Sequence, residues 1–332
     1  MTDAVVVLNY HGAADTLACV SSLVNGSPEA RVLVVDNGSY DNALDDVRSR
    51  WPGVETLQVM ENLGFAGGMN VGLRWVLDRL SDPSSEGPAD SRSETDTVTV
   101  LNNDTVVPPG TIARLAATAR TGAAVSPEVR YLAEPDRVWF GGGTVDPHTN
   151  LARHLTDEEL AAVDGASDDD PLRQTDVLAG CCVTATVATW RRVGLFDERY
   201  FLTFEDSDWS MRAREVGVPL VVDRDAVLGH RVSASFTREY SYLGLYYYTR
   251  NGLLFGQDRC DGSIMEGARF LRHHVVPAVS TPLRRGEHRE GLRAALVLAH
   301  ALLDHARRRY GRVPHRLEQR ARQWSDAELE PL

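Results

Sequence analysis

The stretch FLTFEDSDWSMRA (Phe201–Ala213) sets three carboxylates, Glu205, Asp206 and Asp208, among aromatic residues. Carboxylates in the first turn of a helix are stabilised by the positive end of the helix dipole and can accept its free N–H groups. Apolar neighbours have another effect, because they raise carboxylate pKa values towards those that suit a general base. The residue types therefore leave two roles open, helix capping and proton abstraction.

Two further positions could carry chemistry. In LNNDT, Asp104 ends a predicted strand and precedes a Pro-Pro-Gly bend. A carboxylate beside amides can hold a hard divalent cation that neutralises a diphosphate. An Asp that only caps a turn would occur in the same sequence pattern. His230, in VLGHRVS, closes a later strand, where a lone His is more often structural than a ligand. The residues alone leave both alternatives open.

The segment ENLGFAGGMNVG (Glu61–Gly72) has four glycines and two asparagines between a predicted strand and a helix. Glycines at such a junction let a diphosphate approach backbone N–H groups at the positive end of the helix. The spacing matches neither the dinucleotide-binding pattern nor the P-loop. A tight turn is therefore an equal explanation for the candidates Asn62, Gly67, Gly68 and Asn70.

Regular alternation in the first third of the chain predicts the elements that position these residues. Short apolar runs, VVVLNY, RVLVVD, VETLQV and TVTVLN, alternate with helical patterns. This alternation predicts an α/β fold in which helices cover both faces of a parallel sheet, and ligands of such sheets bind at the carboxyl ends of the strands. Three strands end there in polar residues, at Asn9-Tyr10, Asp36-Asn37 and Asn102-Asn103-Asp104.

The later chain changes character. A strand (VLAGCCVTATV), a helix near Trp190 and a buried strand (VPLVVD) lead to His230, after which the pattern is helical. We predict a catalytic domain over residues 1–235 and a helical region over 236–332. The acid-rich segments Ser81–Asp96, as a mobile insertion, and Thr156–Asp176 are predicted to be solvated loops without a catalytic role.

Composition restricts the class of protein. The chain has 332 residues, 43% of them hydrophobic, and a net charge of −12 at pH 7, so we expect a globular protein without a nucleic-acid partner. All 35 basic residues are Arg, which excludes mechanisms that need a lysine. The four cysteines lack metal-ligand spacing and are expected to be reduced thiols. No stretch resembles a signal or membrane-spanning segment, so we expect a cytoplasmic protein.

Five stretches of the chain, in this order, resemble the motifs of the inverting glycosyltransferase family 2, which has the GT-A fold. They are VVVLNY, VVDNGSYD, ENLGFAGGMNVG, LNNDT and GLFDERYFLTFEDSDWSMRAREVG. YYYTRNGLLF is similar to the helix that follows the catalytic domain in rhamnosyltransferase-like members. The resemblance covers Val5–Phe255. It implies that the catalytic domain has a nucleotide-binding half at about 1–110 and an acceptor-binding half at about 111–235. It implies that a sugar moves from a nucleoside-diphosphate sugar to an acceptor hydroxyl, with a divalent cation, Mg²⁺ or Mn²⁺, as cofactor.

The resemblance also implies roles for single residues. Asp206, in the E-D-x-D pattern, matches the catalytic base; it would take the proton of the acceptor hydroxyl, whose oxygen attacks the anomeric carbon in line and inverts its configuration. Asp104 matches the metal-binding D-x-D position, where Asn102 replaces the first acid, and His230 matches a residue that completes the metal shell in some relatives. The other nucleotide- or donor-side positions are Leu8, Asn9, Tyr10, Asp36 (on the pyrimidine base), Asn37, Asn62, Gly67, Gly68, Asn70 and Asn103.

The acceptor and donor-sugar side would be formed by Gly180, Cys181, Glu205, Asp208 and Trp209. Glu205 and Asp208 are three apart and share one helix face, so they would position the acceptor or cap the helix while Asp206 points elsewhere. The resemblance favours a dTDP- or UDP-linked deoxysugar such as rhamnose as the donor. A cell-wall or polysaccharide intermediate and a small natural product both stay open as acceptors.

Two alternatives belong to other classes. A sugar-nucleotide-binding protein without catalysis would explain Asn102 as the mark of a degenerate relative, but the joint presence of Asp206, Asp104 and His230 argues against it. A nucleotidylyltransferase on a similar sheet is disfavoured because such enzymes usually use Arg and Lys together, and this chain has no Lys.

The basic C-terminal helices raise a separate question. Residues 267–323 contain 13 Arg against four acids. One face of a predicted helix is apolar, at Leu292, Ala295, Leu296, Ala299, Leu302, Leu303 and Ala306. We favour packing of this face on the protein, with Arg307–Arg309 in water. The alternative is peripheral contact with a membrane surface, which would suit a polyprenyl-linked acceptor.

Overall fold

The computed structural model describes residues 1–80, 92–146, 148–149, 151–164, 170–232 and 242–326, so most of the predicted insertion Ser81–Asp96 lies outside the described residues. The chain forms two compact units. The sheet unit comprises Met1–Thr144, Arg153–Asp197 and Glu205–Val232. The helical unit comprises Val145–Ala152, Glu198–Phe204 and Ser233–Leu332, as far as these ranges are described.

Strands and helices alternate along residues 3–230. The strands are β1 (Asp3–Asn9), β2 (Arg31–Asp36), β3 (Glu55–Gln58), β4 (Thr97–Asn102), β5 (Thr105–Val106), β6 (Ala124–Tyr131), β7 (Glu134–Phe140), β10 (Leu172–Gln174), β11 (Cys182–Thr186) and β12 (Leu220–His230), with β8 (Gly143–Asp146) and β9 (Leu151–His154) forming a separate pair. The helices are α1 (Ala13–Gly26), α2 (Ala43–Arg50), α3 (Gly64–Leu80), α4 (Arg92–Thr95), α5 (Thr111–Ala119), α6 (Asp157–Asp164), α7 (Val187–Val193) and α8 (Glu205–Glu215).

The main sheet has the strand order β10-β12-β6-β11-β4-β1-β2-β3. Neighbours from β3 to β4 pair in parallel, as do β6 and β12, while β11 runs antiparallel between β4 and β6. This arrangement confirms the predicted α/β class. The segment Thr156–Asp176 differs from the predicted loop, because it contains α6 and β10. Three of its acids lie in the first turn of α6, where the positive end of the helix dipole stabilises them.

Two apolar cores cover the two faces of the sheet. Side chains of a strand alternate between faces, so Val5 and Val7 of β1 join one core and Val6 and Leu8 join the other. The first core includes buried residues of α1, α2 and α5, and the second includes those of α3, α7 and α8. Because helices pack on both faces, polar side chains can meet open space only at the ends and edges of the strands.

The helical unit contains the C-terminal helices, which confirm the predicted helical appendage. They are α9 (Tyr242–Arg259), α10 (Ile264–Phe270), α11 (Val276–Arg284), α12 (His288–Ala306) and α13 (His315–Asp326), with a π-helical turn at Leu271–Val275 between α10 and α11. Among the described residues, none of the helices is both long enough and apolar enough to cross a bilayer.

Helix α12 packs through a face other than the one we favoured. It lies against α9 through its small residues, and its buried positions are Gly291, Ala294, Val297, Ala301 and Asp304. Leu292, Leu296 and Leu303 are 67%, 39% and 42% exposed. The prediction that the leucine-rich face packs on the protein is therefore wrong, because small side chains allow the closer approach to α9.

Candidate active site

Asn9 joins three strand ends at the carboxyl edge of the sheet. It is fully buried at the end of β1, where it pairs in register with Asp36 of β2. Its Nδ2 donates to Asp36 Oδ1 at 2.7 Å, and its Oδ1 accepts hydrogen bonds from Thr16 Oγ1 at 2.8 Å and from Asn103 Nδ2 at 3.4 Å. Asn103 also donates to Thr16 Oγ1 at 2.9 Å. Both asparagines thus fasten the edge rather than face open space.

Asp36 is buried and its carboxylate is fully engaged. Its oxygens accept hydrogen bonds from Asn9, from the backbone and hydroxyl of Ser39, from the Tyr40 N–H at 3.1 Å and from Gln58 Nε2 at 2.5 Å. Burial alone would raise the pKa of Asp36, but the hydrogen bonds from Ser39, Gln58, Tyr40 and Asn9 outweigh it and lower the pKa. A nucleobase would have to displace one of these donors to reach Asp36.

Exposed aromatic rings lie around the same strand ends. Tyr10 follows β1 directly, with its ring 4.5 Å from that of His11. Tyr40 is 58% exposed, and its hydroxyl donates to the Met60 carbonyl at 3.1 Å. Tyr10 was predicted from the sequence, whereas Tyr40 was not. The position of Tyr40, four residues after Asp36 in the turn beyond β2, was the available signal. Leu8 is buried in the core one residue before Asn9.

The glycine-rich segment mainly serves close packing. A Cβ on Gly68 would lie 2.8 Å from Asn37 Cγ, and one on Gly67 would lie 2.8 Å from Leu63 Cβ. Asn37 Nδ2 donates to Asn62 Oδ1 at 3.1 Å and to the Gly64 carbonyl at 2.9 Å. Asn70 is buried further along α3 and exchanges hydrogen bonds with the backbone of Phe196. These contacts support the tight-turn explanation for this segment.

Asp104 and His230, the two predicted metal ligands, lie close together beside the end of β4. His230 closes β12, which pairs with β5 so that His230 stands opposite Thr105. The distance from His230 Nε2 to Asp104 Oδ1 is 3.1 Å. Asn102, two residues earlier, is half-buried at the end of β4. Among the described residues, no group of three or more His, Cys, Asp and Glu side chains forms a metal-binding cluster.

A short backbone segment links Asp206 to the strand end that carries Asp104. The Gly180 N–H donates to Asp206 Oδ2 at 2.9 Å, and the Cys181 carbonyl accepts the Asn102 N–H at 2.9 Å. A Cβ on Gly180 would lie 3.1 Å from Asp206 Cβ, so this approach favours glycine. Burial raises the pKa of the Cys181 thiol, and the nearby charges of Cys182, Asp104 and Asp206 raise it further.

The two other acids of the α8 turn are buried. Glu205 is 6% exposed; burial raises its pKa well above the usual range, with smaller contributions from Asp206 and Asp208. Asp208 is fully buried and accepts a hydrogen bond from Arg212 Nε at 2.9 Å. Trp209 packs against Trp190 in the core, with ring centroids 4.6 Å apart. Of the residues predicted in this turn, only Asp206 is half-exposed and can receive a substrate proton.

Sequence reasoning missed an aromatic cluster beside His230. The ring of Trp139 lies edge-on to His230 at 4.6 Å and to His154 at 4.8 Å. His154 Nδ1 is 3.0 Å from the Trp139 carbonyl. Desolvation lowers the pKa of His154; the charge of Asp206 raises it and that of His230 lowers it. No motif marks Trp139 or His154, because separate strands bring them together.

Comparison with known proteins gives the family to which this α/β sheet and its carboxyl-edge site belong. The family model described as "Glycosyltransferase like family 2" matches residues 3–247. The chain therefore belongs to this family, which confirms the resemblance. It is 28% identical over 284 residues to N-acetylglucosaminyl-diphospho-decaprenol L-rhamnosyltransferase of Mycobacterium tuberculosis, a match that covers 78% of this chain and 86% of the relative.

Solved structures confirm the GT-A fold. The S. aureus TarS fragment 1–349 in complex with UDP-GlcNAc matches 91% of this chain and 81% of its own, with a TM-score of 0.53 and 16% identity. GalNAc-T7 with UDP, GalNAc and Mn²⁺ matches 84% of this chain with a TM-score of 0.55 and 16% identity. The match spans 57% of the GalNAc-T7 chain. At these identities the likeness concerns the fold alone.

Proposed function

We propose that this family 2 glycosyltransferase transfers a sugar from a nucleoside-diphosphate sugar to an acceptor hydroxyl in one inverting step, with Asp206 as the general base. The carrying observation is the backbone link from Asp206 through Gly180 and Cys181 to Asn102. It fixes the base relative to the strand end where Asp104 and His230 lie. Asp206 would remove the hydroxyl proton while that oxygen attacks the anomeric carbon and the nucleoside diphosphate leaves.

A divalent cation fits the Asp104 and His230 pair. A carboxylate oxygen and an imidazole nitrogen 3.1 Å apart can serve as two ligands of one ion. The half-buried Asn102 ends β4 two residues before Asp104. Because the described residues form no metal-binding group of three or more His, Cys, Asp and Glu side chains, the donor diphosphate would supply further oxygen ligands. When bound, the cation would stabilise the negative charge of the leaving diphosphate. GalNAc-T7, whose fold is similar, was solved with Mn²⁺ and UDP, which supports this proposal.

The proposed donor is a dTDP- or UDP-linked sugar, with rhamnose favoured. The Mycobacterium tuberculosis relative is an L-rhamnosyltransferase, and its name gives a diphospho-decaprenol acceptor. We therefore place a lipid-linked glycan ahead of a small natural product as the acceptor. Release of nucleoside diphosphate from a panel of UDP-, dTDP- and GDP-sugars, with and without Mg²⁺ or Mn²⁺, tests donor, metal and activity together.

Asp206→Asn is the decisive variant. It keeps the size of the side chain and the hydrogen bond from the Gly180 N–H but cannot accept a proton, so we expect transfer to fall by at least about a hundredfold with the fold unchanged. Asp45→Asn, an exposed acid on α2 in the same unit, serves as the matched control and should keep normal activity. Near-normal transfer by Asp206→Asn would reject the assignment.

We also propose that α12 contacts an anionic membrane surface, where a lipid-linked acceptor would lie. Leu292, Leu296 and Leu303 form an exposed apolar stripe along this helix. Arg289 and Arg293 flank the stripe, and the exposed Arg307–Arg309 follow its end. No acid within His288–Ala306 shares the stripe. The positive charge of the neighbouring arginines therefore complements anionic headgroups, while the leucines of the stripe can enter the membrane interface.

A further inference from the structure

The segment Glu198–Phe204 leads directly into α8, the helix that carries Asp206, and its backbone is strained. Phe201, Thr203 and Phe204 have φ angles of 59°, 66° and 71°. Residues other than glycine rarely adopt this left-handed conformation, which persists only where the surroundings hold it. Three such residues within four positions need support from outside the segment.

Asn251 of α9 supplies that support. It is fully buried, and its Nδ2 donates to the carbonyls of Tyr200 at 2.6 Å, Leu202 at 2.7 Å and Thr203 at 3.2 Å. A primary amide has two hydrogens, so the three carbonyls converge on one donor group.

Arg250 fixes the orientation of the Asn251 amide. Its Nε and Nη2 donate to Asn251 Oδ1 at 3.1 and 3.0 Å, so the amide nitrogen must face the segment. Arg250 is itself fully buried and also donates to the Tyr246 hydroxyl at 3.3 Å, which donates to Asp304 Oδ2 at 2.7 Å. The Tyr246 hydroxyl thereby links the buried guanidinium to the carboxylate of Asp304 on α12.

Aromatic packing completes the recognition. The Phe201 ring stacks on Tyr247 with centroids 5.3 Å apart and an interplanar angle of 11°. Phe204 lies 5.6 Å from both Tyr248 and Phe255. Helix α9 therefore binds the segment through its amide and its rings together.

We propose that Asn251 is a positioning residue for Asp206, acting through the covalent continuity of the segment with α8. The proposal rests on the role assigned to Asp206. Without the amide, the carbonyls of Tyr200, Leu202 and Thr203 lose their common donor and the segment can relax to negative φ. Displacement of a reacting group by about 1 Å can cost about a hundredfold in rate.

The test compares Asn251→Asp with Thr249→Val. The first variant keeps the shape of the side chain but removes the donors and sets oxygen against the three carbonyls. The second is a matched control, since Thr249 is equally buried on the same helix and its hydroxyl has no hydrogen-bond partner among the described residues. Measurements are kcat and KM with the donor that the panel identifies, and the affinity for UDP by calorimetry.

We expect Asn251→Asp to lower kcat by about a hundredfold while the donor KM and the UDP affinity change by less than about threefold. Thr249→Val should keep the normal kcat. An unchanged kcat in Asn251→Asp, or an equal loss in Thr249→Val, would overturn the proposal.

Hydrogen exchange of the unmodified protein tests the same inference without any variant. The Leu202 N–H donates to the Tyr200 carbonyl at 2.6 Å, inside the segment that Asn251 holds. We expect this amide to exchange as slowly as those of α9, because the two would open together. Fast exchange at the Leu202 amide, with slow exchange in α9, would refute the proposal that Asn251 holds the segment. The result with Asp206→Asn bears on the proposed function alone.

Discussion

Asp206 and Glu205 are adjacent in sequence and have opposite environments. Aromatic residues around them predicted a carboxyl group with a raised pKa, and the structure gives that property to Glu205, which is buried. Asp206 instead lies half-exposed beside Gly180. Consecutive helical residues point about 100° apart, so composition could predict a perturbed acid in this turn but tertiary packing decided which one it is.

Glu205→Gln should change how stability depends on pH. Because the folded-state pKa of Glu205 is raised, its protonated form stabilises the fold below the unfolded value near 4.5, and this contribution is lost as pH rises towards the folded pKa. The free energy of unfolding should therefore fall with pH by up to about 1.4 kcal/mol per unit more in the unmodified protein than in the variant. Urea denaturation at several pH values measures it; parallel profiles would contradict the expectation.

The amides at the strand ends show a second limit at the residue scale. The sequence located Asn9, Asn37 and Asn103 correctly at the carboxyl edge of the sheet. Their side chains donate hydrogen bonds to Asp36, to the Gly64 carbonyl and to Thr16, respectively. An amide that binds a ligand and one that holds a turn have the same donors and acceptors, so residue type could not separate the two roles.

At the scale of elements, periodicity was most informative where burial was simple. The β-branched runs of β1, β2 and β4 are buried between helices, and their patterns predicted the strands closely. For α12 the pattern misled, because leucines marked an apolar face while Gly291, Ala294 and Ala301 form the packed one. Hydrophobicity predicts that a face avoids water, but close packing of helices selects small side chains.

Gly72→Ala should loosen the packing of α3 on the sheet. An added Cβ would lie 2.4 Å from Val6 Cγ1 and 3.0 Å from Val35 Cγ2, so side chains of two strands would have to move. We expect a loss of about 1–3 kcal/mol in the free energy of unfolding. Gly53→Ala is the control, since nothing lies within 4 Å of its added Cβ. Equal stability of the two variants in urea denaturation would show that α3 can shift freely.

The whole molecule combines an acidic chain with a basic C-terminal region. The net charge is −12, yet residues 267–323 carry 13 Arg and four acids. Such an asymmetry was readable from the sequence. The sequence could not show which leucines lie beside the arginines at the surface, because this depends on the face through which α12 packs.

Binding to vesicles should separate the apolar and basic contributions of α12. We expect the protein to co-sediment with phosphatidylglycerol vesicles more than with phosphatidylcholine vesicles, and less as salt is added. Replacing Arg307–Arg309 by Gln should weaken binding by about 1 kcal/mol per charge. Changing Leu292, Leu296 and Leu303 to Ser should weaken it at all salt concentrations.

Val163→Ser is the control for the apolar stripe, because this exposed residue lies on α6, outside the C-terminal helices. It should leave vesicle binding unchanged. Binding that persists in both α12 variants would exclude this surface as the membrane contact.

The membership of Glu198–Phe204 in the helical unit bears on the design of hybrid enzymes. If two parent sequences were joined just before α9, the segment Glu198–Phe204 would come from one parent and the C-terminal helices from the other. Asn251, Tyr247 and Phe255 would then face a foreign backbone. Recombinants that exchange residues 198–204 together with the C-terminal helices keep matched partners, so the productive building block is discontinuous in the gene.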